Sequence, residues 1–209
     1  EIRRSLAEEN PDAYLPNVAA TCNNLAILLK NQHRMEEAER LCREALEIRR
    51  SLAEENPDAY LPNVAATCNN LANLLDDQHR TEEAERLYRE ALKIYRSLAT
   101  ENPDAFLPNV ATTCNNLAVL LKNQHRMEEA ERLYREALEI RRSLAKENPA
   151  AFLPEKSDTA FNLAILMYNI KRDLPASRAL FEEALEGYSQ FEHHAEDADE
   201  VRKILKEAF

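Results

Sequence analysis

Three histidines, His33, His79 and His125, recur at intervals of 46 residues, and three cysteines, Cys22, Cys68 and Cys114, recur at the same interval. Such residues could form nucleophile–base pairs or metal sites, and with Cys42 they could form disulfides. The spacings argue against all three. No Ser, Cys or acidic partner recurs beside the histidines, and there is no Cys-x-x-Cys pair. Cysteines at one position of stacked helices would stand roughly 8–10 Å apart, beyond the ~7 Å Cα limit for a disulfide. They read as small buried hydrophobes with free thiols, which suits a reducing, cytoplasmic location. His193-His194 lacks ligands at metal spacing and reads as a solvated turn. No Gly-rich phosphate loop, nucleophile elbow or protected carboxylate pair occurs. The expectation is a chain that is not an enzyme, with no catalytic residue, no cofactor and no metal.

The same interval governs the whole chain. Ser5, Ser51, Ser97 and Ser143 each open a copy of one 46-residue phrase. Copy two differs from copy one at seven positions and copy three at five, while copy four decays. A fixed period of this size specifies a solenoid, in which each unit buries its apolar face against its neighbours. One Gly, no Trp and an abundance of Ala, Leu, Glu and Arg specify helices. Glu1–Asn10 repeats Glu47–Asn56, so the chain is expected to begin inside a helix of an earlier copy and to be part of a longer array. A net charge of −11 argues against nucleic acid, which needs clustered Lys and Arg. No apolar run approaches the ~18 residues of a membrane helix. The expected partners exclude nucleic acid and membrane.

Each copy predicts two helices. In copy one, helix A is expected over about Asn17–Asn31, with Val18, Cys22, Leu25, Ala26 and Leu29 on one face and Pro16 just before it or in its first turn. The turn Asn31-Gln32-His33-Arg34 puts His33 at its tightest point, and His tolerates positive φ better than most non-Gly residues. Helix B is expected over about Met35–Glu54, with acids in its first turn and a buried stripe of Ala38, Leu41, Cys42, Ala45, Ile48 and Leu52. Asn56-Pro57-Asp58 and Leu61-Pro62 read as a linker. Tyr14, Tyr60, Phe106 and Phe152 are expected to wedge between units there. In copy four the turn around Lys171-Arg172-Asp173 reads as one residue longer, and a last helix is expected over about Asp197–Ala208.

The stretch NNLAILLKNQHRMEEAERLCREALEI resembles a tetratricopeptide repeat, with Leu25-Ala26, Leu29, Ala38, Ala45-Leu46 and Ile48 as its skeleton. The Asn-Asn-Leu-Ala, Glu-Glu-Ala-Glu and Arg-Glu-Ala-Leu-Glu-Ile blocks are most similar to the kinesin-light-chain type. The resemblance implies an all-α solenoid of antiparallel helix pairs, a superhelix with a C-terminal capping helix. Departures are Cys22 for an aromatic, Ala26 for a Gly and His33 for the turn Gly. The period also exceeds the usual ~34; the extra residues are assigned to a longer helix B and to the Pro-flanked linker. Repeats are expected over 1–192, with 1–10 ending a preceding repeat, units of about 11–56, 57–102, 103–148 and 149–192, and a cap over 193–209.

The resemblance also implies a concave groove lined by the A helices. Its positions correspond here to Ala20, Asn23, Ile27, Lys30 and Asn31, to Ala66, Asn69, Asn73, Asp76 and Asp77, and to Thr112, Asn115, Val119, Lys122 and Asn123. Five of the twelve differences among the first three copies fall there: Ile27/Asn73, Lys30/Asp76, Asn31/Asp77, Ala20/Thr112 and Ile27/Val119. Asn23, Asn69 and Asn115 could pair with an extended peptide backbone, with the variable positions reading its side chains and Asp76 and Asp77 favouring Lys or Arg. Equally, Lys30–Asp76 and Asp77–Lys122 could be salt bridges between neighbouring helices, and the amides could bond along the stack. The function expected is a protein- or peptide-binding scaffold. The alternative is the sensing or autoinhibitory region of a larger signalling ATPase or caspase-like protease.

Overall fold

The computed structural model describes residues 2–209. The described chain is helical: α1 Ile2–Glu9, α2 Pro11–Asn31, α3 Met35–Glu55, α4 Pro57–Asp77, α5 Thr81–Glu101, α6 Pro103–Asn123, α7 Met127–Glu147, α8 Pro149–Leu166, α9 Leu174–Tyr188 and α10 Ala195–Ala208. A π-helical turn, Met167–Lys171, follows α8, and a short 3-10 turn, Glu192–His194, precedes α10. The fold is an α-solenoid of helix pairs packed in sequence order.

The 46-residue period resolves into two 21-residue helices, a three-residue turn and a single asparagine. This corrects the expected linker, because no linker is present. Asn56 ends α3 and caps α4, its side chain accepting from the Ala59 amide at 3.2 Å. Pro57 takes the first helical position, where its missing N–H costs nothing, and Asp58 complements the helix dipole. Asn10 and Asn148 repeat the device. Helix A therefore begins six residues earlier than expected, and Pro16, Pro62, Pro108 and Pro154 lie inside helices. The carbonyl that would have bonded to Pro16 is that of Asp12, which is exposed and free to meet water. Tyr14, Tyr60, Phe106 and Phe152 sit half-buried in the first turn of these helices rather than in a linker.

The turn from helix A to helix B is a Schellman closure. His33 adopts φ 59°, its amide bonds to the Lys30 carbonyl at 2.9 Å, and the Arg34 amide reaches the Leu29 carbonyl at 2.9 Å. His79 and His125 repeat it at φ 60° and 61°. In the fourth copy the left-handed residue is Arg172, one position later than the period requires. The π-helical turn absorbs that extra residue before Asp173 caps α9.

Contacts divide the chain into two compact units, Glu1–Pro103 and Asp104–Phe209. In the first, α2 packs on α3, α3 on α4 and α4 on α5. Its core is Ala, Leu and Val, with Cys22, Cys42 and Cys68 buried as free thiols. The guanidinium of Arg49 clasps α3 to α4, donating to the Asn63 carbonyl at 3.1 Å and to the Thr67 hydroxyl. In the second unit α7 packs on α8, α8 on α9 and α9 on α10, and Arg141 repeats the clasp on the Glu155 carbonyl at 2.8 Å and on Thr159. Val201 and Ala198 bury the face of α10, and Phe209 meets the Phe181 ring at 6.3 Å and the Tyr168 ring at 5.7 Å.

Candidate binding groove

The helices that carry the expected site residues are α2, α4 and α6. The first two belong to the first compact unit. Their closing turns hold the register, so residues three and four apart share one face. Ile27, Lys30 and Asn31 of α2 and Asn73 of α4 line one cavity of about 170 Å³, together with Ala26, Asn70, Leu74 and Cys42 of α3. Four of the expected residues are thus brought to one concavity.

Polar contacts knit its wall. Lys30 Nζ lies 2.9 Å from Asp77 Oδ2, so the ion pair of Lys30 is with Asp77 rather than with Asp76. The Asn70 amide donates to Asn23 Oδ1 at 3.2 Å. The link along the stack therefore joins the first Asn of one repeat to the second Asn of the next, not Asn23 to Asn69. Asn69 Oδ1 is buried without a hydrogen-bond partner. Tyr88 donates its hydroxyl to Asn73 Oδ1 at 2.5 Å.

Asp76 stands one turn beyond Asn73, half-buried; its backbone carbonyl accepts from the His79 amide at 2.8 Å, while its carboxylate makes no hydrogen bond or ion pair among the described residues. Burial, then the charge of Asp77, raises its carboxyl above the usual 3.8, with His79 and Lys30 opposing. Beneath, Cys42 is 2% exposed and burial pushes its thiol up to about 11, which keeps it protonated and unreactive at neutral pH.

In the second unit, Thr112 is exposed and accepts from Arg141 at 3.3 Å. Val119 and Lys122 are half-buried, burial lowering the ammonium pKa of Lys122, and Asn123 is exposed. Asn115 borders a cavity of about 330 Å³ shared with Asp158, Phe161, Asn162, Tyr188, Asp197 and Glu200. Tyr188 donates to Asp158 Oδ1 at 2.7 Å, and burial with that bond raises its phenol pKa. His194 stacks on Tyr188 at 5.4 Å and meets Asp197 Oδ2 at 2.7 Å, so it is part of the packed end of the unit rather than a solvated turn.

Sequence reasoning missed Asn70, Cys42, Asp158 and Phe161. The signal for Cys42 was present: copies two and three carry Tyr88 and Tyr134 at its position. Asp158 and Phe161 lie at groove positions of the fourth copy, which its divergence concealed.

No helix among the described residues is long and apolar enough to cross a membrane. None of their His, Cys, Asp and Glu side chains gather in threes as a metal site would require.

The chain matches a tetratricopeptide repeat model over residues 17–97 and a second of the same description over 110–150, together more than half its length. Its fold is similar to that of BtubC (BKLC) from P. vanneervenii, with 29% identity and a TM-score of 0.75, covering 98% of this chain and 76% of that one. It is also similar in fold to RapI, at 16% identity and a TM-score of 0.68, covering 83% of this chain and 57% of that one. Aspartyl phosphate phosphatase F from Bacillus subtilis shares the fold at 13% identity and a TM-score of 0.71, with 91% and 45% covered. No curated protein sequence matches it. The chain belongs to the tetratricopeptide-repeat family, whose arrays typically serve as non-catalytic scaffolds for protein interaction.

Proposed function

We propose that this array binds an extended peptide along the faces of its A helices, and that Asp76 receives a Lys or Arg of that peptide. The observation that carries the reading is the pairing of Lys30 with Asp77, which leaves Asp76 a half-buried carboxylate with no partner beside a cavity wall. Asn70 and Asn73 add amides at the same place. In the second unit Asn115, with its buried and unpartnered Oδ1, borders a further concavity. With Val119, Lys122 and Asn123 it would form a recognition surface of that unit, and Thr112 would hold it in place through Arg141.

The proposed repeat units are 11–56, 57–102, 103–148 and 149–192, with 193–209 as the cap. Four buried thiols without disulfides suit a reducing compartment, and the cytoplasm is the proposed location. Peptides selected on the full chain from a displayed random library should be enriched in Lys or Arg, and Asp76→Lys should weaken them with little change in Tm. A large loss of Tm with unchanged affinity would assign Asp76 to the framework instead.

A further inference from the structure

The cavity lined by Cys42, one of several in the first unit, lies between α4 and the one repeat that lacks a ring in the middle of its second helix. Tyr88, Tyr134 and Phe181 hold that position in α5, α7 and α9, and each is at most 2% exposed. In α3 the residue is Cys42. Tyr88 shows where such a ring goes, because its hydroxyl reaches Asn73 on the facing helix. The equivalent facing residue in the first repeat is Ile27, apolar and 42% exposed. Cysteine for tyrosine removes the ring, and isoleucine for asparagine removes the hydroxyl's acceptor.

What is left is a concavity of about 170 Å³. Its buried side is Ala26, Cys42 and Leu74, each at most 2% exposed, and its open side includes Ile27, Lys30 and Asn70. An apolar cavity of ~150 Å³ stays dry and takes up benzene, so this volume suits a six-membered ring. The open side lies on the face of Asn73 and Asp76, one helical turn apart.

We infer that this cavity receives a phenylalanine or tyrosine side chain of the bound partner, which supplies the ring that Cys42 lacks. The inference rests on the groove reading and narrows it: the recognised segment pairs an aromatic residue with a basic one. The cysteine is then a specificity residue, acting through the space it leaves rather than through its sulfur.

The test is a titration of the isotope-labelled full chain with toluene and p-cresol, the side-chain analogues of Phe and Tyr, followed by amide chemical shifts. Saturable shifts at Ala26, Ile27, Cys42 and Leu74 are expected. Cys42→Tyr should abolish them without lowering Tm, because the next two repeats already carry tyrosine there. Should that ring meet Ile27, Cys42→Tyr with Ile27→Val reproduces the Tyr134/Val119 pair of the third repeat. No shifts in the unaltered chain, or the same shifts in a folded Cys42→Tyr variant, would overturn the inference. Dependence of peptide affinity on Asp76 is a separate readout, so the groove and the ring cavity can fail independently.

Discussion

Lys30 and Asp77 form an ion pair across α2 and α4, with Nζ 2.9 Å from Oδ2. The pair satisfies the outer of two adjacent carboxylates and leaves Asp76 facing that charge. An exposed pair of this kind contributes ~0–1 kcal/mol, so its larger consequence is electrostatic: it defines which acid is available.

Asp76→Asn should raise Tm at pH 7 by about 1 °C, corresponding to a few tenths of a kcal/mol. A carboxyl with a raised pKa keeps its proton in the folded chain where the unfolded chain has released it. Stability therefore falls as pH rises from the ordinary value of 3.8 through the folded value. The gain from the substitution should be complete above that window and vanish below it. Melting curves across acid pH check this, and a gain that persists at the lowest pH would contradict it.

Glu183 behaves in the opposite sense. Burial pushes its carboxyl up, but the hydrogen bonds and charge of Arg142, at 2.5 Å, outweigh this, with Lys156 at 3.6 Å assisting. Its folded value lies below 4.5, so its contribution is present above that value and lost as pH falls through the folded one. Glu183→Gln should cost about 1 kcal/mol at pH 7. The difference from the unaltered chain should close in acid, as read by denaturant melts.

The turn histidines can be tested at His125. Its φ of 61° strains a β-branched side chain, so His125→Val should lose about 1–2 kcal/mol. His125→Gly should be within about 1 kcal/mol of the unaltered chain, relief of strain offsetting unfolded-state entropy. Equal losses for both would show that the imidazole, not the backbone, holds the turn.

Gly187 lies where α9 comes close to α8. A Cβ there would overlap the Ser157 hydroxyl and lie 3.3 Å from its Cβ and 3.4 Å from the Leu153 carbonyl. Gly187→Ala should cost about 1–3 kcal/mol through overpacking. Adding Ser157→Ala should recover much of it, because only the tighter but tolerable contacts remain. A double variant no more stable than the single one would place the strain in the backbone.

Repetition carried the fold: near-identical phrases 46 residues apart demand like units, and apolar periodicity placed both helices. The start of helix A was misjudged because Leu15-Pro16 looks like a boundary. The stronger signal, Asn10-Pro11-Asp12, is itself a cap, a first-position proline and a first-turn acid. A proline six residues in can be tolerated when the carbonyl it deprives faces water. At the groove, comparing copies found Ile27, Lys30, Asn31 and Asn73, which meet at one cavity. Which aspartate Lys30 would choose, and which asparagine would meet Asn23, were not legible. Those depend on an offset between helices that a linear register does not encode. Cys42 was visible as a difference between copies, but its meaning required the space around it.

The central claim is that Asp76 recognises a basic residue of a bound peptide. The most direct measurement is calorimetric titration of a library-selected peptide into the full chain and its Asp76→Lys variant, with Tm recorded for both. The account predicts at least a tenfold weaker affinity for the variant, about 1.4 kcal/mol, with Tm nearly unchanged. Equal affinities in two folded proteins would contradict it.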